Sequence, residues 1–261
     1  MSASRTVPRT EGDWFWLPSA RPHAAIRLFC FPHAGGDATA FAALGRLLPQ
    51  EIELWGIRMP ARGGRTRDRY PESFGELVGA VSEAALPHLD RPYAVLGQSI
   101  GGLVGYEVAR RLTAQLAPTA CVVIGFAPPH TWREPPGSGG DAEVRELVDH
   151  MLGSDERAGA VITHPALREM VRQVLQADLG LARTYRDPAV ALLDCPIKAV
   201  LGADDEAVTE GEMKEWARCS TADGGGVDVL PAGHLVLQSG EPAVRQVAGI
   251  VRDLLLPSLY Q

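Results

Sequence analysis

The pentapeptide Gly97-Gln98-Ser99-Ile100-Gly101 fits the pattern G-x-S-x-G. In that pattern two residues without side chains let a strand turn abruptly into a helix, leaving the serine between them with its hydroxyl presented to solvent. The flanks agree with this reading. Tyr93-Ala94-Val95-Leu96 precedes the motif as a short apolar strand, and the stretch from Leu103 to Leu112 follows it with helical spacing. A serine hydroxyl is a poor nucleophile at neutral pH. It needs a general base, and the base needs a partner that fixes its tautomer and supports the positive charge it acquires.

Seven histidines are available, and His234, in Leu230-Pro231-Ala232-Gly233-His234-Leu235, is the one that follows the last strand candidate. A loop histidine beyond a sheet edge is placed to reach the serine turn, so His234 is the candidate base. The acid is expected after the apolar run Ile197-Lys198-Ala199-Val200-Leu201, where two aspartates adjoin, Asp204 and Asp205. In a G-x-x-D loop the third residue after the glycine is the acid, which counted from Gly202 favours Asp205. Asp204 then reads as a turn-forming or helix-capping carboxylate.

Acyl chemistry at Ser99 also needs donors for a tetrahedral oxyanion, each worth about 3–4 kcal/mol when well placed. One backbone N–H is expected from Ile100, next to the nucleophile. The second is expected from the small-residue loop Pro32-His33-Ala34-Gly35-Gly36 that follows an apolar strand, and is assigned to Ala34.

These groups must be held by a scaffold, and the chain alternates short apolar runs with amphipathic segments. Strands are predicted at 27–31, 53–57, 93–96, 120–125, 197–201 and 227–230, and helices at 38–48, 73–89, 100–112, 209–219 and 242–255. The alternation implies an α/β fold with a mostly parallel sheet, helices on both faces, and functional loops at the carboxyl ends of the strands. One interval of about 70 residues breaks the rhythm. It opens with APPHTWREPPGSGG and reads as a helical cap or lid inserted at roughly 128–190 into a single domain spanning 1–261, with helices near 142–152 and 165–183.

At 261 residues, with 46% apolar and 22% charged residues and a net charge of −7, the composition excludes a disordered chain. It also argues against nucleic acid as the main partner. The longest apolar run, from Ala120 to Ala127, is eight residues, far below the roughly 18 needed to cross a bilayer. The first residues have no apolar core of a secretory signal, so a cytoplasmic location is expected. Cys30, Cys121, Cys195 and Cys219 are widely spaced, which argues against a zinc site or a disulfide framework. No metal or other cofactor is called for.

Taken in order, FPHAGGDATAF, GIRMPARGGR, LGQSIGGLVGYEVARRL, LGADDEAVT with Trp216 downstream, and PAGHLVLQ resemble the type II thioesterases of polyketide and nonribosomal peptide pathways. The resemblance runs from about residue 13 to 255. It implies an α/β-hydrolase fold and a serine enzyme that hydrolyses acyl groups from the phosphopantetheine arm of acyl or peptidyl carrier proteins. Residue by residue it implies Ser99 as nucleophile, Asp205 as acid, His234 as base, and Ala34 and Ile100 as oxyanion donors. The chain departs from the family pattern at Gln98, Ile100 and Ala61 and over Ile124-Gly125-Phe126-Ala127-Pro128, changes that fall beside the acyl site and spare the catalytic groups.

Arg58, Arg62, Arg65, Arg67 and Arg69 crowd one loop. A carrier protein is acidic and its arm bears a phosphate, so Arg62, Arg65, Arg67 and Arg69 are candidates for docking it. The alternative is a solvated basic loop with an arginine structurally tied. The same nucleophile and base would also serve acyl transfer or cyclising release to an acceptor other than water, or hydrolysis of small free esters. A hydrolase cleft used only for binding is the non-catalytic alternative.

Overall fold

The computed structural model describes residues 7–131, 164–186 and 192–257. Eight strands form one sheet: β1 (Arg9–Glu11), β2 (Phe15–Leu17), β3 (Ile26–Phe31), β4 (Ile52–Ile57), β5 (Tyr93–Gln98), β6 (Cys121–Ile124), β7 (Ile197–Gly202) and β8 (Gly226–Leu230). Their order across the sheet is β1-β2-β4-β3-β5-β6-β7-β8. From β4 to β8 every pairing is parallel, whereas β1 and β2 add an antiparallel ribbon at one edge. All six predicted strands are present within one or two residues of their expected ends. The two unpredicted ones are three-residue strands, too short to carry an alternation.

The described helices are α1 (Ala42–Leu47), α2 (Phe74–Ala85), α3 (Ile100–Leu112), α4 (Pro165–Arg183), α5 (Glu210–Lys214) and α6 (Glu241–Leu255). Several predicted helices divide into an α-helix and a 3₁₀ turn: Ala38–Phe41 leads into α1, Leu86–His88 ends α2, and Glu215–Cys219 follows α5. Two starts are fixed by side chains. The Ser73 hydroxyl accepts the Glu76 N–H ahead of α2, and Thr209 and Glu212 form a reciprocal capping box at α5.

Strands buried on both faces read as continuous apolar runs because each serves two cores. Ile26, Leu28 and Cys30 of β3 face a core completed by Phe41, Leu44, Val247 and Val251 beneath α1 and α6. Phe29 and Phe31 of the same strand face the larger core under α2, α3 and α5, with Leu77, Val81, Leu103, Tyr106 and Met213. Each fully buried aliphatic side chain of this kind contributes roughly 1.5–3 kcal/mol. Helices therefore cover both faces of the sheet.

Within the expected cap, α4 occupies the predicted span 165–183; the other predicted helix, 142–152, lies outside the described residues. The carboxyl half of α4 is stitched to the domain. The Phe74 N–H donates to Thr184 Oγ1 at 2.7 Å, the Tyr185 hydroxyl donates to Glu107 at 2.9 Å, and the Phe74 and Tyr185 rings lie 4.9 Å apart. Its amino half keeps Leu167 and Met170 exposed. None of the described helices is long and apolar enough to cross a membrane.

Candidate active site

Ser99 occupies the turn between the end of β5 and the start of α3, with φ 54° and ψ −133°. A left-handed φ at a residue with a side chain costs about 1–3 kcal/mol and persists only where the surroundings hold it. Here they do. The Ser99 N–H donates to the Ile124 carbonyl and the Gly102 N–H to the Ser99 carbonyl, both at 2.7 Å. A Cβ at Gly97 would sit 2.1 Å from the Gly101 oxygen, and one at Gly101 would sit 2.3 Å from the Phe31 oxygen and 2.4 Å from that of Pro32. Both glycines of the motif are thus required by close backbone approach. The second also packs the turn directly on the loop that carries Ala34.

Across the mouth of the sheet, His234 Nε2 lies 2.9 Å from Ser99 Oγ, and His234 Nδ1 lies 2.9 Å from Asp205 Oδ2. The Asp205 carboxylate is fully buried while the imidazole keeps a quarter of its surface exposed. The other oxygen of Asp205 accepts the Ala207 N–H at 2.8 Å and the Val208 N–H at 3.3 Å. Of the two candidate aspartates, the structure brings Asp205 to the histidine and leaves Asp204 exposed. Hydrogen bonds beyond the strand ends, Ala203 N–H to Leu230 and Asp204 N–H to Ala232 at 2.7 and 3.0 Å, hold the two loops side by side. Chemically, the arrangement can take a proton from Ser99 and hold the resulting imidazolium against a buried carboxylate.

Ile100 is the first residue of α3, so its N–H is free of the helix ladder. Ala34 lies in a turn closed by the Gly36 N–H donating to the His33 carbonyl at 2.9 Å, with Gly35 at φ 77° in the third position. That is the type II pattern, which calls for glycine there.

The Thioesterase domain family model matches residues 26–255. This chain belongs to the thioesterase family. The thioesterase is 34% identical over 97% of its length to the AMB antimetabolite synthetase AmbE of Pseudomonas aeruginosa, of which it spans only 12%. Among solved structures it is similar to the RedJ thioesterase of the prodiginine pathway in Streptomyces coelicolor, at 30% identity and TM-score 0.79 over 90% of this chain and 92% of RedJ. It is also similar to BorB, the type II thioesterase of the borrelidin cluster, at 26% identity and TM-score 0.83 over 95% of this chain and 99% of BorB. The fold is accordingly of the α/β-hydrolase type.

The arginine loop of the thioesterase needs a correction. Arg62, a docking candidate by sequence, is buried, and its guanidinium makes a two-pronged salt bridge to Asp178 on α4, at 2.7 and 2.5 Å. Burial is the largest influence and works against its charge, but Asp178, Tyr70 and Asp37 together more than offset it and raise its pKa. Removing one partner of such a buried pair costs about 3–5 kcal/mol. Arg65 is also committed inward: its guanidinium lies 4.0 Å from the Trp14 ring centre and donates to Asp68 and to the Arg58 carbonyl. Arg67 is exposed, and Arg69, also exposed, pairs with Glu72 and Glu76.

Asp178 and Tyr70 went unread in the sequence. The Asp178 carboxylate also accepts the Tyr70 hydroxyl and the Gly35 N–H, the latter at 2.7 Å. Burial, then the nearby Asp178 charge, pushes the Tyr70 phenol up and keeps it a donor. A signal was present: with Val171, Leu175 and Ala182, Asp178 falls on the apolar stripe of its helix, where a lone carboxylate needs buried partners.

Proposed function

We propose that this thioesterase is a serine hydrolase of acyl thioesters borne on the phosphopantetheine arm of carrier proteins, serving editing or release in polyketide or nonribosomal peptide assembly. The observation that carries the reading is the hydrogen-bonded series Ser99–His234–Asp205, set in a chain whose relatives include the type II thioesterase BorB.

In this mechanism Ser99 Oγ attacks the thioester carbonyl while its proton passes to His234 Nε2. The Nδ1–H donates throughout to Asp205 and fixes the tautomer. The C–O bond forms, the carbonyl electron pair moves to oxygen, and the oxyanion is met by the N–H groups of Ile100 and Ala34. Collapse breaks the C–S bond, and His234 returns the proton to the departing sulfur. A water deprotonated by His234 then attacks the acyl-serine, the same N–H groups receive the second oxyanion, and the carboxylic acid leaves as Ser99 regains its proton. No cofactor enters this sequence.

Within this reading α4 belongs to a cap over the site, and Arg67 and Arg69 supply the positive edge that meets an acidic carrier protein. Acyl groups of several lengths loaded on carrier proteins, followed by intact-protein mass spectrometry, test the function. Loss of the acyl mass from the carrier with a free acid as product is the expected outcome. Transfer of the acyl group to an added amine in preference to water would make the protein an acyltransferase instead.

A further inference from the structure

The buried carboxylate of Asp178 connects the cap helix to the loop that carries Ala34. It accepts the Gly35 N–H at 2.7 Å, and its partner Arg62 donates to the Gly36 carbonyl at 2.8 Å. One ion pair thus holds backbone groups of two successive residues of the turn His33–Gly36. Type I and type II turns of equal length differ by a flip of their central peptide, here the one joining Ala34 to Gly35. In the observed turn that peptide aims its N–H at Asp178. A flip would aim the Ala34 carbonyl oxygen at the carboxylate, like polarity against like.

We propose that Asp178 is a positioning residue for the oxyanion site: by accepting the Gly35 N–H while its partner Arg62 holds the Gly36 carbonyl, it anchors the type II turn against α4 and so fixes where the preceding Ala34 N–H stands relative to Ser99. This rests on the reading of Ala34 as an oxyanion donor in a serine thioesterase. It also means that the site is complete only while α4 is seated, because Asp178 reaches the turn from that helix. The contribution is made to the transition state.

The test compares wild type with Asp178→Leu, which removes the acceptor, and with Gly35→Ala, which opposes the same turn through its positive φ and keeps both charged residues. Three quantities are measured: kcat and KM on an acyl-N-acetylcysteamine, affinity for an alkyl boronate that forms a tetrahedral adduct on Ser99, and affinity for the free acid product. Expected for both variants is a roughly tenfold to hundredfold fall in kcat. The boronate should weaken in proportion, and KM and acid binding should stay within about threefold. Tyr70→Phe, which removes a hydrogen bond from the same carboxylate but leaves the turn contact, should lower thermal stability and keep kcat within about twofold. If Asp178→Leu does not fold, Gly35→Ala carries the test by itself. Variants that lose stability while retaining kcat and boronate affinity overturn the proposal. A Ser99→Ala control separates the two levels: if it abolishes turnover, the hydrolase reading stands whatever Asp178 does, and if it does not, that reading falls first.

Discussion

The Gln98 side chain donates from Nε2 to Oε1 of Gln238 at 2.6 Å, and its own Oε1 accepts the Leu237 N–H at 2.9 Å. Gln98 immediately precedes Ser99 and Gln238 ends the 3₁₀ turn Val236–Gln238 that follows His234, so Ser99 and His234 are joined at their backs as well as through the imidazole. The same Nε2 lies 3.4 Å from His33 Nδ1 in the Ala34 loop. Gln98→Met, close in shape but without these bonds, leaves a buried amide unpaired. It should cost about 1–3 kcal/mol in urea unfolding and reduce kcat by about tenfold through a looser base. Unchanged stability would mean that a water replaces the side chain.

Ser99→Ala should eliminate covalent labelling by a fluorophosphonate and lower turnover by several orders of magnitude, since only binding and oxyanion stabilisation remain. Retention of more than a tenth of the activity would falsify the acyl-enzyme mechanism.

The adjacent aspartates should separate cleanly. Asp205→Asn is expected to lose on the order of 10⁴ in kcat by releasing the histidine tautomer, whereas Asp204→Asn, at an exposed carboxylate, should stay within a factor of about two. Steady-state rates on one small thioester suffice, and a larger loss at Asp204 would reverse the assignment.

Charge removal at Arg67 and Arg69 should lower kcat/KM on an acyl-carrier protein but spare the matching acyl-N-acetylcysteamine. The wild-type advantage on the carrier should shrink as salt rises, because rim charges act mainly on encounter and are screened over about 10 Å at 0.1 M. Arg62→Gln should behave differently, lowering the melting temperature and harming both substrates through its buried pair with Asp178. Equal losses on both substrates for the Arg67 and Arg69 variants, independent of salt, would end the docking idea.

Ala61 stands at φ 61° in the loop after β4. A left-handed alanine is disfavoured by roughly 1–2 kcal/mol, and the greater freedom of glycine in the unfolded chain offsets part of this. Ala61→Gly should therefore raise the melting temperature by about 2–4 °C with kcat unchanged. A lower melting temperature would show that the alanine methyl packs favourably.

What the sequence conveyed followed physical strength. The strand and helix around Ser99 were legible because Gly97 and Gly101 serve a steric need that no other residue meets, and α4 was legible because Pro165 opens a long amphipathic stripe. The ribbon β1–β2 escaped notice, since Phe15 and Leu17 acquire meaning only when β2 pairs with β4. Arg62 could not be singled out as the tied arginine of its loop for a related reason. Clustering along the chain reports charge density, whereas burial against Asp178, 116 residues away, is a property of the folded chain. The partners of Gln98 were hidden in the same way.

Under the proposed roles of Asp205 and His234, activity requires the pairing of both β7 and β8. Asp205 follows β7 by three residues, and His234 follows β8, the strand at the sheet edge that pairs with β7 alone. Parallel pairings between distant segments are slow because loop closure must precede their reward. A refolding chain is therefore expected to regain helical circular dichroism from local segments such as α3 and α6 before it regains turnover, and simultaneous recovery of the two signals in stopped-flow refolding would refute this order. Recovery of activity would then time the docking of the edge strand β8.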